Sequence, residues 1–206
     1  MKEHKFNYLG QNLLLHPFKS VYWIEQKILL ISDLHLGKAA HFRKSGIPIP
    51  ENVHRYDIER LNYLIQYYSP SRLVILGDLF HSEYNLSWEL FRQFVLDYPE
   101  LNTELIPGNH DILDNSHYDF IKIHMNNLII TPFLFSHEPQ NYDLQNDLYN
   151  IYGHVHPSYV FYGKAKQSLK LPCFYFGRSS GILPAFGSFT GTFKITKSHS
   201  QDFIFV

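Results

Sequence analysis

The sequence predicts an α/β protein arranged as a four-layer α-β-β-α sandwich, with two mixed β-sheets packed face to face and helices on the outside. Three features carry this expectation. The first half alternates strand-length apolar runs with segments of helical period. From Thr131 to Val206 the chain is rich in Phe, Tyr, Val and Thr with Gly and Pro turns, which reads as mostly strands. Five apolar runs each lead straight into a polar cluster, and in open α/β sheets ligands gather beyond the carboxyl ends of the strands.

Taken in order, the runs are Ile28 to Ile31, Leu73 to Leu76, Leu105 to Ile106, Phe133 to Phe135 and Leu148 to Tyr152. Between the first two, Val53, Tyr56, Leu61, Leu64, Ile65 and Tyr68 recur at mostly three- and four-residue steps, the spacing of one buried helical face. Ser69-Pro70-Ser71 stops that helix. A second helix is expected after Asn85 or Ser87, either of which can cap it, with Trp88, Phe91, Phe94 and Val95 inward and Tyr98-Pro99 at its end.

No repeat, low-complexity tract or Gly/Ser-rich linker divides the 206 residues, so one domain spanning 1–206 is expected. A composition 45% hydrophobic and 18% charged places the chain with folded proteins, and a formal charge of -1 excludes a non-specific nucleic-acid coat. Any affinity for phosphate must arise locally, and no basic or aromatic stripe is legible. The start lacks the apolar core of a secretory signal and no run approaches a membrane span, which points to the cytoplasm and to no membrane partner. The one cysteine, Cys173, has neither a disulfide nor a CxxC partner and is expected to pack inside a strand.

The chemistry lies in the five clusters. Ser32-Asp33-Leu34-His35 offers a carboxylate and an imidazole two residues apart, which project the same way if the backbone stays extended. Gly77-Asp78 follows the second run, where glycine permits a sharp turn. Gly108-Asn109-His110-Asp111 packs an amide, an imidazole and a carboxylate into three positions. Ser136-His137 ends the fourth run, and Gly153-His154-Val155-His156 puts two imidazoles on one side of an extended segment. Each cluster alone is compatible with an ordinary polar turn. All five together, in this order, point to a shared metal centre built from Asp33, His35, Asp78, Asn109, His137, His154 and His156.

Asp33-x-His35, Gly77-Asp78, Gly108-Asn109-His110-Asp111, His137 and Gly153-His154-x-His156 resemble the calcineurin-like metallophosphoesterase superfamily. Gly37 to Pro50, Gly77 to Ser82 and Leu183 to Gly191 resemble more closely its PdeM subgroup, phosphoesterases associated with DNA ligase and helicase genes. The resemblance implies one divalent ion on Asp33, His35, Asp78 and His156 and a second on Asp78, Asn109, His137 and His154, with Asp78 bridging. Manganese is the metal the family suggests, and the mixed imidazole, carboxylate and amide donors also suit Fe, Co, Ni or Zn. It further implies hydrolysis of a phosphodiester by a metal-bridging hydroxide, with His110 protonating the leaving oxygen and Asp111 holding the His110 imidazole.

His81 stands where the superfamily's protein phosphatases continue toward an arginine that this sequence lacks, which weighs against phosphoserine substrates. Lys38, Arg43, Lys44 and Arg178 are either phosphate contacts or solvated surface charges. The resemblance implies a nucleic-acid phosphodiester, DNA or RNA, as substrate in a DNA-repair setting, and a ligase or helicase as a partner. Two other readings are hydrolysis of a nucleotide-linked small molecule, such as a UDP-sugar lipid, and a non-catalytic scaffold that keeps the fold. The short segments between motifs count against the first, and the complete ligand set against the second.

Overall fold

The computed structural model describes residues 2–39, 42, 46, 53–81, 86–140 and 148–206. Its first sheet has seven strands, β1 (His4–Tyr8), β2 (Gln11–His16), β3 (Ser20–Trp23), β4 (Ile28–Ile31), β5 (Arg72–Leu76), β6 (Asn102–Ile106) and β7 (Lys122–Ile123), side by side in that order. Neighbours are antiparallel as far as β4 and parallel from β4 to β7. Parallel neighbours need crossovers, and two helices provide them: α1 (Val53–Tyr68) between β4 and β5, and α2 (Leu86–Leu96) between β5 and β6.

The apolar periodicity accounts for both helices, except that Tyr56, expected on the buried face of α1, is 53% exposed. Leu61, Leu64 and Ile65 of α1 and Trp88, Phe91, Phe94 and Val95 of α2 bury against Leu29, Ile31, Leu73 and Ile75 of the sheet. Ser69 follows α1 with φ at +46°, and the chain turns there as the Ser-Pro-Ser run anticipates. The cap of α2 differs from expectation in one respect: the helix begins at Leu86, so Ser87 is a buried residue within it and no cap, while Asn85 lies outside the described residues.

The remaining strands are β8 (Leu128–Ile130), β9 (Phe133–Ser136), β10 (Tyr149–Tyr152), β11 (Pro157–Tyr162), β12 (Ser168–Pro172), β13 (Phe174–Phe176), β14 (Ser180–Ile182), β15 (Phe193–Lys194) and β16 (Phe203–Phe205). Six form a second mixed sheet in the order β16-β13-β14-β10-β9-β8, parallel only across β14, β10 and β9. β12, β11 and β15 form a small third sheet. The two large sheets pack face to face, as expected. All four residues of β4 are buried because Leu29 and Ile31 face the helices while Ile28 and Leu30 face the second sheet, which is why the strand reads as a continuous apolar run. Between the sheets Leu30, Val74 and Leu76 meet Phe133, Phe135, Ile151 and Phe176, and Trp23 stands edge-on to Phe133 at 4.9 Å. Among the described residues both α-helices lie on the first sheet.

Cys173 is buried between β12 and β13, and burial pushes its thiol up to about 12, consistent with packing and not reactivity. No helix among the described residues is long and apolar enough to cross a membrane. The decisive consequence of the topology is directional: β4, β5 and β6 are mutually parallel, as are β9 and β10, so their carboxyl ends can open toward one cleft.

Candidate metal centre

At that edge, besides the trio His35, His81 and His110, the structure gathers two carboxylate-containing groups of side chains whose donor atoms likewise lie within 4.8 Å of one another: Asp33, His35 and His156, and Asp78, His137 and His154. Asp78 stands between them, with Oδ2 3.6 Å from His35 Nε2 and Oδ1 3.5 Å from His137 Nε2. His35 Nε2 is 3.4 Å from His156 Nε2, His156 Nε2 is 3.3 Å from Asp33 Oδ1, and His137 Nε2 is 3.2 Å from His154 Nδ1. Asn109 is on the same turn as His110 and lines, with His137, a cavity of about 330 Å³. Six of the seven positions singled out by sequence are therefore neighbours in space, and Asn109 stands exposed on the adjoining turn.

How the chain presents them differs from expectation. The backbone is not extended at Asp33-x-His35 or His154-x-His156: β4 ends at Ile31, β10 ends at Tyr152, and all four residues have positive φ, between +48° and +62°. Asp78 shares this left-handed conformation at +50°. Non-glycine residues avoid that region, so five such residues in one cleft mark backbone held in place by its surroundings. The holding bonds are visible. Asp33 N–H donates to Gly77 O (3.1 Å), His35 N–H to Asp78 O (2.8 Å), Leu36 N–H to Leu79 O (2.9 Å), and Gly153 N–H to His137 O (3.2 Å). Beyond the strands, the loops thus go on pairing and carry the ligands with them.

Two glycines create the space. At Gly77, with φ +75°, an added Cβ would lie 2.1 Å from His137 Nδ1; at Gly153 it would lie 2.5 Å from Asp33 Oδ2.

Orientation of the imidazoles follows from their outer partners. His137 Nδ1 lies 3.0 Å from Leu76 O, and His156 Nδ1 3.1 Å from Gly191 O. A carbonyl only accepts, so each Nδ1 donates and each ring turns its Nε2 into the cleft, the arrangement that second-layer carbonyls impose on metal-binding histidines. Burial, aided by the nearby Lys38, His156, His110 and His81 charges, holds His35 down at about 2, so its ring is neutral. Asp33 is buried completely and Asp78 almost so, and among the described residues their ion-pair partners within 4 Å are imidazoles alone. Two buried carboxylates whose ion-pair partners are imidazoles alone lack a permanent counter-charge, and buried charges persist when paired or when they coordinate metal. The donor set fits divalent cations.

The carboxylates are aimed by backbone amides. His154 N–H donates to both oxygens of Asp33 (3.1 and 3.0 Å), and His110 N–H to Asp78 Oδ1 (3.0 Å). Asp111 has a different task from the one expected. Its carboxylate accepts the N–H groups of Gly108 (3.0 Å), Phe80 (3.0 Å) and Leu79 (3.3 Å), tying the turn after β6 to the turn after β5. Orientation of His110 comes instead from the His81 carbonyl, 3.2 Å from His110 Nδ1, and from its ring stacked on His81 at 4.8 Å.

Of the expected phosphate contacts, Lys38 is half-buried at the rim, where burial lowers its pKa against the opposing pull of Asp78 and Asp33. Arg178 is exposed on the turn between β13 and β14, at the amino end of β14, and β14 runs parallel to β10; it therefore lies at the far end of the sheet from the cleft. Arg43 and Lys44 lie outside the described residues, as does most of the segment from Gly37 to Pro50.

Sequence reading did not find the brace behind Asp33. Phe186 N–H donates to Ser32 O (2.7 Å) and Gly187 N–H to Asp33 O (3.1 Å). That loop is itself clamped by Lys19 Nζ on Ala185 O (2.7 Å), by Arg60 on Phe186 O (2.6 Å), and by Asp57, which takes Ser188 Oγ (2.6 Å) and pairs with Arg60 (2.5 Å). Asp57 and Arg60 are both buried. A buried Asp and Arg three residues apart inside an apolar-periodic helix were the available signal. Asp57→Asn is expected to destabilise the fold by about 2–3 kcal/mol through loss of charge-assisted bonds to Arg60 and Ser188, read from the shift in urea midpoint.

Residues 26–198 match the calcineurin-like phosphoesterase family. The chain is similar to the crystal structure of Pseudomonas putida nuclease MPE at 29% identity, covering 97% of this chain and 94% of that one with a TM-score of 0.81. YfcE, a phosphoesterase from E. coli, aligns at 13% identity over 77% of this chain and 79% of its own, with a TM-score of 0.42. No curated protein matches the chain by sequence.

Proposed function

Because the chain belongs to the calcineurin-like phosphoesterase family and is a metal-dependent phosphoesterase, we propose that it is a dinuclear phosphodiesterase that cleaves nucleic-acid strands. The observation that carries the dinuclear reading is the position of Asp78, with one carboxylate oxygen toward each group of histidines. The set Asp33, His35, Asp78 and His156 would hold one ion, and Asp78, Asn109, His137 and His154 the other. Bound there, a pair of divalent ions supplies Lewis acidity and a nucleophile at neutral pH, and manganese is the metal we propose. The similarity to a nuclease over almost the whole length of both chains supports a nucleic-acid substrate. A role in DNA repair, with a ligase or helicase as partner, extends the same reading.

The chain's own residues do the positioning. Asp33, Asp78, His137 and His156 are fixed by backbone amides and carbonyls, so little reorganisation is left for the moment of reaction. With Nδ1 committed to the His81 carbonyl, His110 keeps Nε2 for delivering a proton to the leaving oxygen. Lys38 places a positive charge at the rim where a substrate phosphate would enter.

His110→Ala keeps the backbone N–H that holds Asp78. The variant is therefore expected to retain bound metal and lose about 10² to 10⁴ in turnover. Metal content with single-turnover kinetics checks this, and loss of metal or unchanged turnover would remove His110 from its role. The substrate reading is tested with one manganese-supplemented panel of a simple diester, a phosphomonoester, single- and double-stranded DNA, RNA and a UDP-linked lipid. Cleavage of diesters and nucleic acid is expected; cleavage of the monoester alone, or of the lipid alone, would overturn it.

A further inference from the structure

The charge of the chain is unevenly placed. Between Pro157 and Lys197 there are six basic residues and no Asp or Glu, whereas the rest of the chain carries twelve basic and all nineteen acidic residues. Five of the six, all but Arg178, lie in the third sheet and the loops that join it. β11 begins immediately after His156, β15 pairs with its first residues at Pro157 and Ser158, and His156 Nδ1 bonds to Gly191 two residues before β15. From that end β11 runs six residues, on the order of 20 Å, to the turn at 163–167, where Lys164 and Lys166 are exposed.

Cross-strand register sorts the side chains. Phe161 pairs with Leu169 and Pro157 with Phe193, so Phe161 and Phe193 share one face with Tyr159; they are 45% and 65% exposed. The opposite face carries Lys170 and Lys194, the latter 5.4 Å over the Tyr162 ring. The lysine face carries an exposed ring of its own, Tyr162 at 72%, and a ring beside lysines on one face is what a flexible polyanion with flat bases requires: the ring stacks on a base at about 1–3 kcal/mol, and the lysines take the phosphates.

We propose that the β12-β11-β15 sheet is a docking surface for one nucleic-acid strand whose scissile phosphate lies at His156. The proposal rests on the phosphodiesterase reading for its direction, not for its chemistry of binding. It is tested with the full-length protein, a fluorescent oligothymidylate and no added metal, by anisotropy over a salt series, alongside manganese-dependent hydrolysis of bis(p-nitrophenyl) phosphate. Combined Lys164→Ala, Lys166→Ala and Lys170→Ala is expected to weaken binding about tenfold or more at 50 mM salt and to lower the log–log salt slope by about 2. Tyr162→Ala is expected to weaken binding with the slope unchanged.

Hydrolysis of the small diester should stay within twofold in both variants, because neither touches the cleft. Unaltered affinity and slope in the lysine variant would overturn the proposal, as would a wild-type protein that binds no oligonucleotide, or a Tyr162 substitution whose sole effect is to dissociate a dimer in sedimentation. Absence of small-diester hydrolysis in the wild type would sink the catalytic reading instead, leaving the binding result to be judged separately.

Discussion

Asp78→Ala is expected to lower phosphodiester turnover by about 10⁴-fold or more, because this one side chain faces both histidine groups and its removal would disturb both of the ions proposed there. Its two oxygens, at 3.6 and 3.5 Å from His35 and His137, link the groups, and the His110 N–H that fixes one of them would be left without its acceptor. The loss should appear as metal as well as rate: elemental analysis of the variant should find fewer than two ions per chain. A variant that binds the full complement of metal and turns over within tenfold of the parent would show that Asp78 is not the bridge.

The second large effect concerns a residue with no side chain. Gly77→Ala places a Cβ 2.1 Å from His137 Nδ1 in a backbone at φ +75°. Left-handed backbone costs an L-residue about 1–2 kcal/mol, and overpacking a filled core adds about 1–3. The ring cannot retreat cheaply, since the Nδ1 that would be struck is the one bonded to Leu76 O. A destabilisation of about 2–5 kcal/mol is therefore expected, together with metal affinity lost at the Asp78, His137 and His154 group. Chemical denaturation and metal titration check the two parts; a fully stable variant with normal metal binding would show that the cleft is looser than described.

Much of this was legible in the residues. The apolar period of α1 and α2, the continuous run of β4 and the five polar clusters each have a local cause, and local causes survive translation into structure. Strand pairing then brought Asp33, His35, Asp78, His137, His154 and His156 together as their order along the chain implied. What misled was conformation. Asp33-x-His35 and His154-x-His156 look like alternating strand residues, yet tertiary hydrogen bonds hold all four at positive φ, and no sequence period reports that.

The role of Asp111 misled for a related reason. Adjacency to His110 suggested a carboxylate–imidazole pair, but a turn points neighbouring side chains apart, and the carboxylate went to three backbone N–H groups. The brace from Lys19, Asp57 and Arg60 to the loop at 185–188 spans well over a hundred residues of sequence and leaves only two buried charges on a helix as its trace. The basic sheet was missed because its lysines are spread from 164 to 197 and become a surface only when β15 pairs with β11.

The central claim is a pair of ions sharing Asp78. The most direct test is anomalous scattering from crystals of the wild-type protein grown with manganese, recorded above and below the metal edge. The account predicts two peaks roughly 3.5–4 Å apart, one among Asp33, His35, Asp78 and His156 and the other among Asp78, Asn109, His137 and His154, with Asp78 touching both. A single peak at saturating manganese, or two peaks that do not share Asp78, would contradict it.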